Sequence, residues 1–232
     1  MNTLLSASAV APSALPDTLL LLPLSGVILL PEARLPLAVT EDRHKDLIDE
    51  VLGQPGRLVG LVQPMIGDND QVREQAPPPL YKVGCAGKVV SFNEEDDGRY
   101  VFSLVGICRF LIGEELPPQG PCRIARPIWK NYLSDLGQLP SGAIMEPDER
   151  DHLLDVLRDY FKRHGGMEAD WNTIQEASDD SLITSLAMIC PLATSEKQAL
   201  LEAPDMVERA KLLTALLTMA SHPATQDAEL RH

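Results

Sequence analysis

Aromatic residues and paired cysteine motifs are scarce in this sequence, and each shortage excludes a class of protein. Phenylalanine, tryptophan and tyrosine make up only 4% of the 232 residues, so aliphatic side chains must build most of the core. The four cysteines stand far apart with no C-x-x-C pair, which excludes a zinc knuckle and a thioredoxin-like redox motif. We interpret them as buried free thiols: Cys85, Cys108, Cys122 and Cys190.

Positive charge is also scarce. The formal net charge is −14 and the isoelectric point is near 4.7. Because a nucleic-acid partner requires a basic surface that releases counterions from phosphate, we expect no nucleic-acid partner. The acidity is concentrated in the second half, with 12 Lys and Arg against 16 Asp and Glu up to Leu133, and 8 against 18 after it.

The sequence contains none of several motifs that mark common enzyme sites. No G-x-x-x-x-G-K-[ST] phosphate loop occurs, because Lys82 stands where the first glycine is required and Val89 follows Gly87-Lys88. There is no G-x-S-x-G elbow or H-E-x-x-H, and the five histidines show no metal-ligand spacing. We therefore expect no catalytic residue, no metal site and no cofactor, and interpret the chain as not an enzyme.

Long hydrophobic runs are missing as well. Residues 1–17 are rich in alanine, serine and proline, contain no basic residue, and hold no apolar stretch long enough for a signal peptide or a membrane span. This composition predicts a disordered leader on a cytoplasmic protein that has no membrane partner.

The clearest structural signal is a β-hairpin from Leu80 to Ile112. Two runs rich in valine, phenylalanine and tyrosine flank an acidic turn, Glu94 to Gly98, whose Asp-Gly pair tolerates positive φ. Glycines inside strand-like runs mark bends, bulges or close approach of backbones. Gly84, Gly87 and Gly106 therefore predict a tightly curved sheet.

Further short elements precede and follow this hairpin. Pro117 and Pro118 bound a predicted loop before the strand that begins at Cys122, and the polar, proline-rich segment between Gln63 and Leu80 predicts another loop. One helix is predicted in this part of the chain, from Glu41 to Leu52, with Gly53 as its stop. The predicted strands are Leu19 to Leu22, Leu35 to Val39, Arg57 to Gln63 and Cys122 to Trp129.

The hydrophobic period changes from two to about 3.6 in the second half of the chain. Residues 18–133 are predicted to form a β domain, 134–145 a linker, 146–222 an α-helical bundle and 223–232 a tail. Pro147 begins the first helix of the bundle, Asp170 and Ser178 are candidate N-caps, and Pro191 ends the third helix. A short helix after Thr194 and a last helix after Asp205 complete the bundle.

The sequence contains, in order, Leu22-Pro23-Leu24, Gly26, Leu29 or Leu30, Pro31, Leu35-Pro36-Leu37, Glu41, Arg43, Gly60, Val62-Gln63-Pro64, Gly84, Ala86-Gly87, Gly106 and Arg109-Phe110. This ordered series resembles the amino-terminal, substrate-binding domain of Lon-type ATP-dependent proteases. The similarity covers most of Leu19 to Tyr132, and Glu196 to Leu217 resembles the helical part that follows. Asp42 and His44 depart from the family pattern beside Arg43.

The resemblance implies an α+β fold. This fold is a small curved mixed β-sheet of the PUA-like pseudo-barrel type, with one helix packed on it, followed by an α-helical bundle. The resemblance also implies a stand-alone, non-enzymatic protein that lacks the ATPase and protease modules. Such a protein would bind unfolded or apolar polypeptide segments and act as an adaptor to a separate ATP-dependent protease. The alternative is a small-ligand binder or an enzyme that uses a pocket of the β domain.

Two apolar loops are the candidate polypeptide-binding site. They run from Val27 to Pro31 and from Pro77 to Tyr81, where burial by the core is least assured and prolines stiffen the chain. The opposite interpretation, that these side chains complete the core beneath the loops, is equally compatible with the sequence. The candidate binding residues are Leu29, Leu30, Pro31, Pro79, Leu80 and Tyr81.

Overall fold

The computed structural model describes residues 11–65, 78–120, 122–137, 145–164 and 170–221. These residues form two compact units. The sheet unit falls within Met1–Pro140 and Pro191–Glu202, and the helical unit falls within Ser141–Cys190 and Ala203–His232. Most of the loop predicted between Gln63 and Leu80 and the whole predicted tail lie outside the described residues.

The sheet unit contains six strands, which are β1 (Leu19–Pro23), β2 (Arg34–Val39), β3 (Leu58–Val62), β4 (Val83–Glu94), β5 (Tyr100–Gln119) and β6 (Cys122–Ile128). They form one mixed sheet with the order β2-β5-β4-β3-β1-β6. Strand β5 also pairs with β6, so β5, β4, β3, β1 and β6 form a closed ring of paired strands. Only β1 and β3 run parallel among these strands.

The central hairpin is confirmed as β4 and β5, and its register explains the curvature. Pairing shifts between Ala86 and Gly87, and again between Val89 and Ser91, so each shift leaves one unpaired residue in the ladder. Gly87 lies directly opposite Gly106 at the first shift. At the tip, Gly98 has φ 78°, a value that glycine adopts at little cost. The predicted curved mixed sheet is therefore confirmed.

Pro117 and Pro118 do not bound the loop before β6 as predicted, because β5 continues through both prolines to Gln119. Proline lacks an amide donor, so it is tolerated in a strand only where the hydrogen-bond ladder is interrupted. The β5–β6 pairing is irregular between Leu116 and Gln119, which is where both prolines fall.

Helix α1 (Asp42–Gly53) is the helix packed against this sheet, where it contacts β1 and β6. Its buried face presents Leu47, Ile48 and Val51 at helical spacing. The Glu41–Arg43 ion pair at its start is exposed, with 2.6 Å between Oε2 and Nε. One cluster of the core, which Leu58 and Trp129 border, contains Leu19, Leu21, Val62, Leu80, Ala86, Phe110, Ile112 and Ala125.

Helices α2 (Pro147–His164), α3 (Trp171–Glu176), α4 (Asp179–Ile189) and α6 (Met206–Ser221) form the helical unit. The Asp170 side chain accepts hydrogen bonds from the amides of Asn172 and Thr173, which confirms it as the N-cap of α3. Arg150 of α2 pairs with Asp179 and donates to the Ala177 carbonyl at 2.6 Å, so it links α2 to the start of α4.

Helix α5 (Thr194–Glu202) belongs to the sheet unit, where it contacts β4. The sequence placed this segment inside one helical domain, because its apolar spacing does not reveal which surface it covers. The predicted domain bounds otherwise stay a prediction. Ala11–Asp17, the described end of the predicted leader, contains a short 3-10 helix, and Pro16 accepts a hydrogen bond from the Trp129 indole at 3.1 Å.

All four cysteines are buried, and none of them forms a disulfide, as predicted. No helix among the described ranges is long and apolar enough to cross a membrane.

Candidate functional site

The two predicted binding loops combine buried and exposed side chains. Leu29 and Leu30 are at most 1% exposed, and Leu80 belongs to the core cluster. These three side chains therefore complete the core beneath the loops, which is the opposite interpretation that the sequence left open. Pro79 is exposed, and Pro31 and Tyr81 are half-buried.

Gln63 connects the two loops. Its side-chain oxygen accepts from the Gly26 amide at 3.1 Å, and its backbone carbonyl accepts from the Tyr81 amide at 3.0 Å. One buried glutamine thus fixes the start of the first loop and the end of the second. The exposed Met65 lies beside them, since its amide donates to the Pro79 carbonyl at 2.7 Å.

Gln63 also holds helix α5. Its side-chain nitrogen donates to the Thr194 carbonyl at 3.1 Å and to Gln198 Oε1 at 3.0 Å. Gln198 in turn donates to the Val83 carbonyl at 3.0 Å and to Glu202 at 2.8 Å. This network satisfies the buried amide groups of both glutamines, so its role is structural. From the sequence, Gln63 was noted only as part of the motif Val62-Gln63-Pro64, and no function was predicted for it.

A buried ion pair lies further along β5. Arg109 Nη2 lies 2.8 Å from Asp135 Oδ1, and Nη1 donates to the Leu201 carbonyl at 3.1 Å. Its guanidinium also covers the Tyr132 ring at 4.7 Å. Burial lowers the pKa of Arg109, but the hydrogen bonds and charge of Asp135 outweigh burial and raise it. Arg109 is therefore a permanent structural cation.

The buried cysteines are unsuited to nucleophilic chemistry. Burial raises the pKa of Cys108 to about 12, and it also raises the pKa of Cys85 and of Cys122. Because the thiolate is the reactive form, these groups stay protonated and inert at neutral pH. Within the described ranges no group of three or more potential ligands could hold a metal ion.

A groove in the helical unit, between α2 and α6, is the strongest candidate for a binding surface. Its volume is about 500 Å³, within the range of roughly 300–1,000 Å³ that ligand pockets occupy. We call it the α2/α6 groove. Its apolar lining consists of Met145, Val207, Ala210, Ala215 and Met219.

Exposure distinguishes this groove from the core. Met219 is 69% exposed and Val207 is 42% exposed, although both are large apolar side chains. Thr214 and Thr218 also line the groove, but each hydroxyl donates to a backbone carbonyl four residues earlier, at 2.9 and 2.7 Å. Their hydroxyls are thus used within α6, which leaves the groove with few polar groups to offer a ligand.

Charged side chains also belong to the groove, and we call Glu149, His152, Lys211 and its ion-pair partner Glu208 the rim. Glu149 and His152 of α2 and Lys211 of α6 contribute to its lining. Lys211 forms an ion pair with Glu208 at 2.9 Å. That hydrogen bond and the charge of Glu208, followed by the charges of Glu149 and Asp205, raise the pKa of Lys211. The rim thus contains two carboxylates and one lysine, and a third carboxylate, that of Asp205, accepts from the Glu208 amide at 2.9 Å.

The sequence patterns did not predict the α2/α6 groove. The methionine and leucine stripe of α6 is typical of a core face, and Leu213 and Leu217 are fully buried. A signal was present, because α6 carries more apolar residues than one buried face requires. Val207, Ala215 and Met219 form a second apolar stripe at helical spacing.

A second cavity of about 470 Å³ lies on the sheet unit. Glu50 is the only carboxylate in its lining, and neither histidine nor cysteine lines it. Its lining therefore lacks the paired acid and base groups that hydrolytic chemistry requires. It is lined by Thr18, Leu20, Glu50, Gln54, Leu116, Pro117 and Ile124.

Two of the solved structures with a similar fold are Lon N-terminal domains. A Lon N-terminal domain protein from Xanthomonas campestris has a TM-score of 0.55 at 21% identity, covering 85% of this chain and 97% of that one. The N-terminal domain of a Mycobacterium avium complex Lon protease has a TM-score of 0.58 at 15% identity, covering 87% and 98%.

Sequence relatives are full-length Lon proteases. Lon protease 2 of Syntrophobacter fumaroxidans is 35% identical over 86 residues, which is 37% of this chain and 10% of the relative. The Lon protease of Desulfosudis oleivorans is 24% identical over 215 residues, which is 88% of this chain and 24% of the relative. The chain thus spans at most about a quarter of either relative's length.

The family match extends over both units of the chain. Residues 18–219 match the family described as the ATP-dependent protease La (LON) substrate-binding domain. This match includes the curved sheet, helix α5 and the four helices of the helical unit. The chain therefore belongs to the Lon substrate-binding domain family.

Proposed function

We propose that this chain binds exposed apolar segments of unfolded polypeptides, and that it does so without catalysing a reaction. The observation that carries this proposal is the α2/α6 groove, an apolar groove in a chain of the Lon substrate-binding domain family. The absence of a phosphate-loop motif from its 232 residues supports the non-catalytic role.

The composition of the groove suits varied apolar side chains. Met145 and Met219 have flexible, polarizable thioether side chains that adapt their shape to different partners, as at other promiscuous binding surfaces. Small residues, Ala210 and Ala215, leave room between the helices. A segment bound here would lose its apolar contact with water, whereas the same residues in a folded client are already buried.

We further propose that the chain presents such segments to a separate ATP-dependent protease as an adaptor. Its similarity to the N-terminal part of Lon proteases supports this role. The loops of the sheet unit remain a proposed second contact surface, through Pro31, Pro79 and Tyr81. The alternative is an enzyme or a small-ligand binder that uses a pocket of the β domain. The lining of the sheet cavity holds no pair of acid and base groups that would favour this alternative.

A pair of matched substitutions tests the groove. Met219→Ala removes an exposed side chain from the lining, whereas Ile189→Ala removes a side chain of similar exposure, 60%, from α4 outside it. Affinity for a fluorescein-labelled, reduced and carboxymethylated polypeptide is measured by anisotropy. We expect Met219→Ala to cost about 1–2 kcal/mol, roughly a 5- to 30-fold loss, because one apolar side chain is lost from the contact.

The control variant and the folded polypeptide complete this experiment. Ile189→Ala should bind as tightly as the unsubstituted protein, and both variants should keep its melting temperature because both side chains are exposed. Equal affinity of all three proteins would place the site elsewhere. A further variant, Tyr81→Ser, then tests the sheet-unit loops, and a loss of affinity confined to this variant would favour them. Equal affinity for the polypeptide in its native and in its carboxymethylated form would contradict the proposed function.

A further inference from the structure

The helical unit places an apolar groove inside an acidic surface. Its described residues, 145–164, 170–190 and 203–221, contain 12 Asp and Glu against 6 Lys and Arg. Four of the six basic residues are already paired with carboxylates inside the unit, in the pairs Arg150–Asp179, Arg158–Asp155, Lys162–Asp159 and Lys211–Glu208. A ligand that enters the α2/α6 groove therefore meets an excess of negative charge.

The rim of the groove shows the same excess locally. Glu149 lies in its lining, Glu208 pairs with Lys211 at 2.9 Å, and the Asp205 carboxylate accepts from the Glu208 amide at 2.9 Å. The basic groups at this rim are Lys211, which Glu208 neutralises, and His152, which is exposed. Glu149 has an acceptor role as well, because its carboxylate accepts from the Glu146 amide at 3.1 Å.

We infer that the α2/α6 groove selects apolar polypeptide segments flanked by lysine or arginine over segments flanked by aspartate or glutamate. This inference rests on the proposed function and adds a substrate class to it. The apolar side chain enters the groove, and the flanking cations lie near Glu149 and Glu208 at its rim. An acidic flank would instead place like charges together, which costs binding free energy.

Three labelled peptides that share one apolar core and differ only in their flanking residues test the inference. The flanks are lysine, glutamine or glutamate, and affinities are measured by anisotropy with the full chain. We expect the lysine-flanked peptide to bind roughly tenfold more tightly than the glutamate-flanked peptide at low salt. The difference should shrink to below about twofold near 1 M salt, where the Debye length is about 3 Å.

Matched variants assign the preference to the groove. The double variant Glu149→Gln and Glu208→Gln removes two charges at the rim and keeps acceptor groups, so we expect the tenfold ratio to fall to roughly threefold. Glu176→Gln makes the same chemical change on exposed α3, outside the groove, and should leave the ratio unchanged. A ratio that the double variant leaves intact would overturn the inference.

The glutamine-flanked peptide separates failure of this inference from failure of the proposed function. If all three peptides bind equally, the charge preference is overturned and the proposed function stands. If none binds, including the neutral peptide, the proposed function itself is contradicted. Tighter binding of the glutamate-flanked peptide would also overturn the inference.

Discussion

Gly106 lies where the loop before β2 crosses β5 at close range. A Cβ atom at this position would lie 2.0 Å from the Leu30 carbonyl oxygen, which is backbone and cannot rotate away. Around it, the Glu32 amide donates to the Gly106 carbonyl, and the Gly106 amide donates to the Ala33 carbonyl, each at 2.9 Å. The glycine therefore permits the loop that buries Leu29 and Leu30 to lie directly against the sheet.

Gly106→Ala should destabilise the protein by about 2–3 kcal/mol, because the added methyl group forces two backbone segments apart. Gly87→Val should cost about 1–3 kcal/mol, since a Cβ there would lie 2.7 Å from a methyl group of Leu29. Urea denaturation measures both. The matched control is Gly53→Ala at the end of α1, where the added Cβ meets no atom within 4 Å, so stability should not fall and should rise by up to about 1 kcal/mol. Unchanged midpoints for both sheet variants would contradict the close packing of this bend.

At the scale of single residues, the structural role of the glycines could be predicted from the sequence better than the exposure of the apolar side chains. Gly87 and Gly106 were predicted to mark a bend, and the register shift lies at Gly87. The burial of Leu30 and the exposure of Met219 were harder to predict, because no local signal in the sequence distinguishes a buried apolar side chain from an exposed one. The structure buries the first and exposes the second.

At the scale of elements, α5 depends on two buried glutamines for its position on the sheet. Gln198 accepts from Gln63 and donates to the Val83 carbonyl, so both side chains are satisfied only together. Removing one partner leaves a buried amide without its hydrogen bond, whereas removing both leaves fewer orphaned groups.

Gln198→Leu should therefore destabilise the protein by about 1–3 kcal/mol, and the double variant with Gln63→Leu should cost less than the sum of the two single variants. Thermal and urea denaturation of the four proteins complete the double-mutant cycle. Gln175→Leu, an exposed glutamine on α3, is the control for the change in chemistry and should be nearly neutral. Strict additivity of the two substitutions would show that the glutamines act independently.

Most elements followed from local sequence, and the exceptions share one physical cause. The hairpin, helix α1 and the helix beginning at Pro147 have strong local signals, and the structure confirms them. The continuation of β5 through Pro117 and the placement of α5 depend instead on which distant strand or surface each segment meets. The α2/α6 groove was missed for the same reason, since two helices far apart in sequence create it.

At the scale of the whole molecule, the chain shares a family with the substrate-binding part of ATP-driven proteases. The nearest approach to a phosphate-binding motif in its sequence is Gly87-Lys88. Both residues lie within β4, where Gly87 pairs with Val59 and Gly106, and Lys88 pairs with Leu58 and Val105. A phosphate cradle needs backbone amides that point freely at the ligand. A strand paired on both sides cannot supply that cradle.

We therefore expect polypeptide binding by this chain to be independent of ATP. Calorimetric titration with Mg-ATP should give no saturable heat, and the affinity for the carboxymethylated polypeptide should be the same with and without Mg-ATP. Lys88→Gln should change neither measurement, because the exposed Lys88 side chain has no ligand to hold in this strand. Saturable micromolar binding of Mg-ATP that Lys88→Gln abolishes would contradict this expectation, since Gly87-Lys88 would then act as a phosphate site despite its pairing in β4.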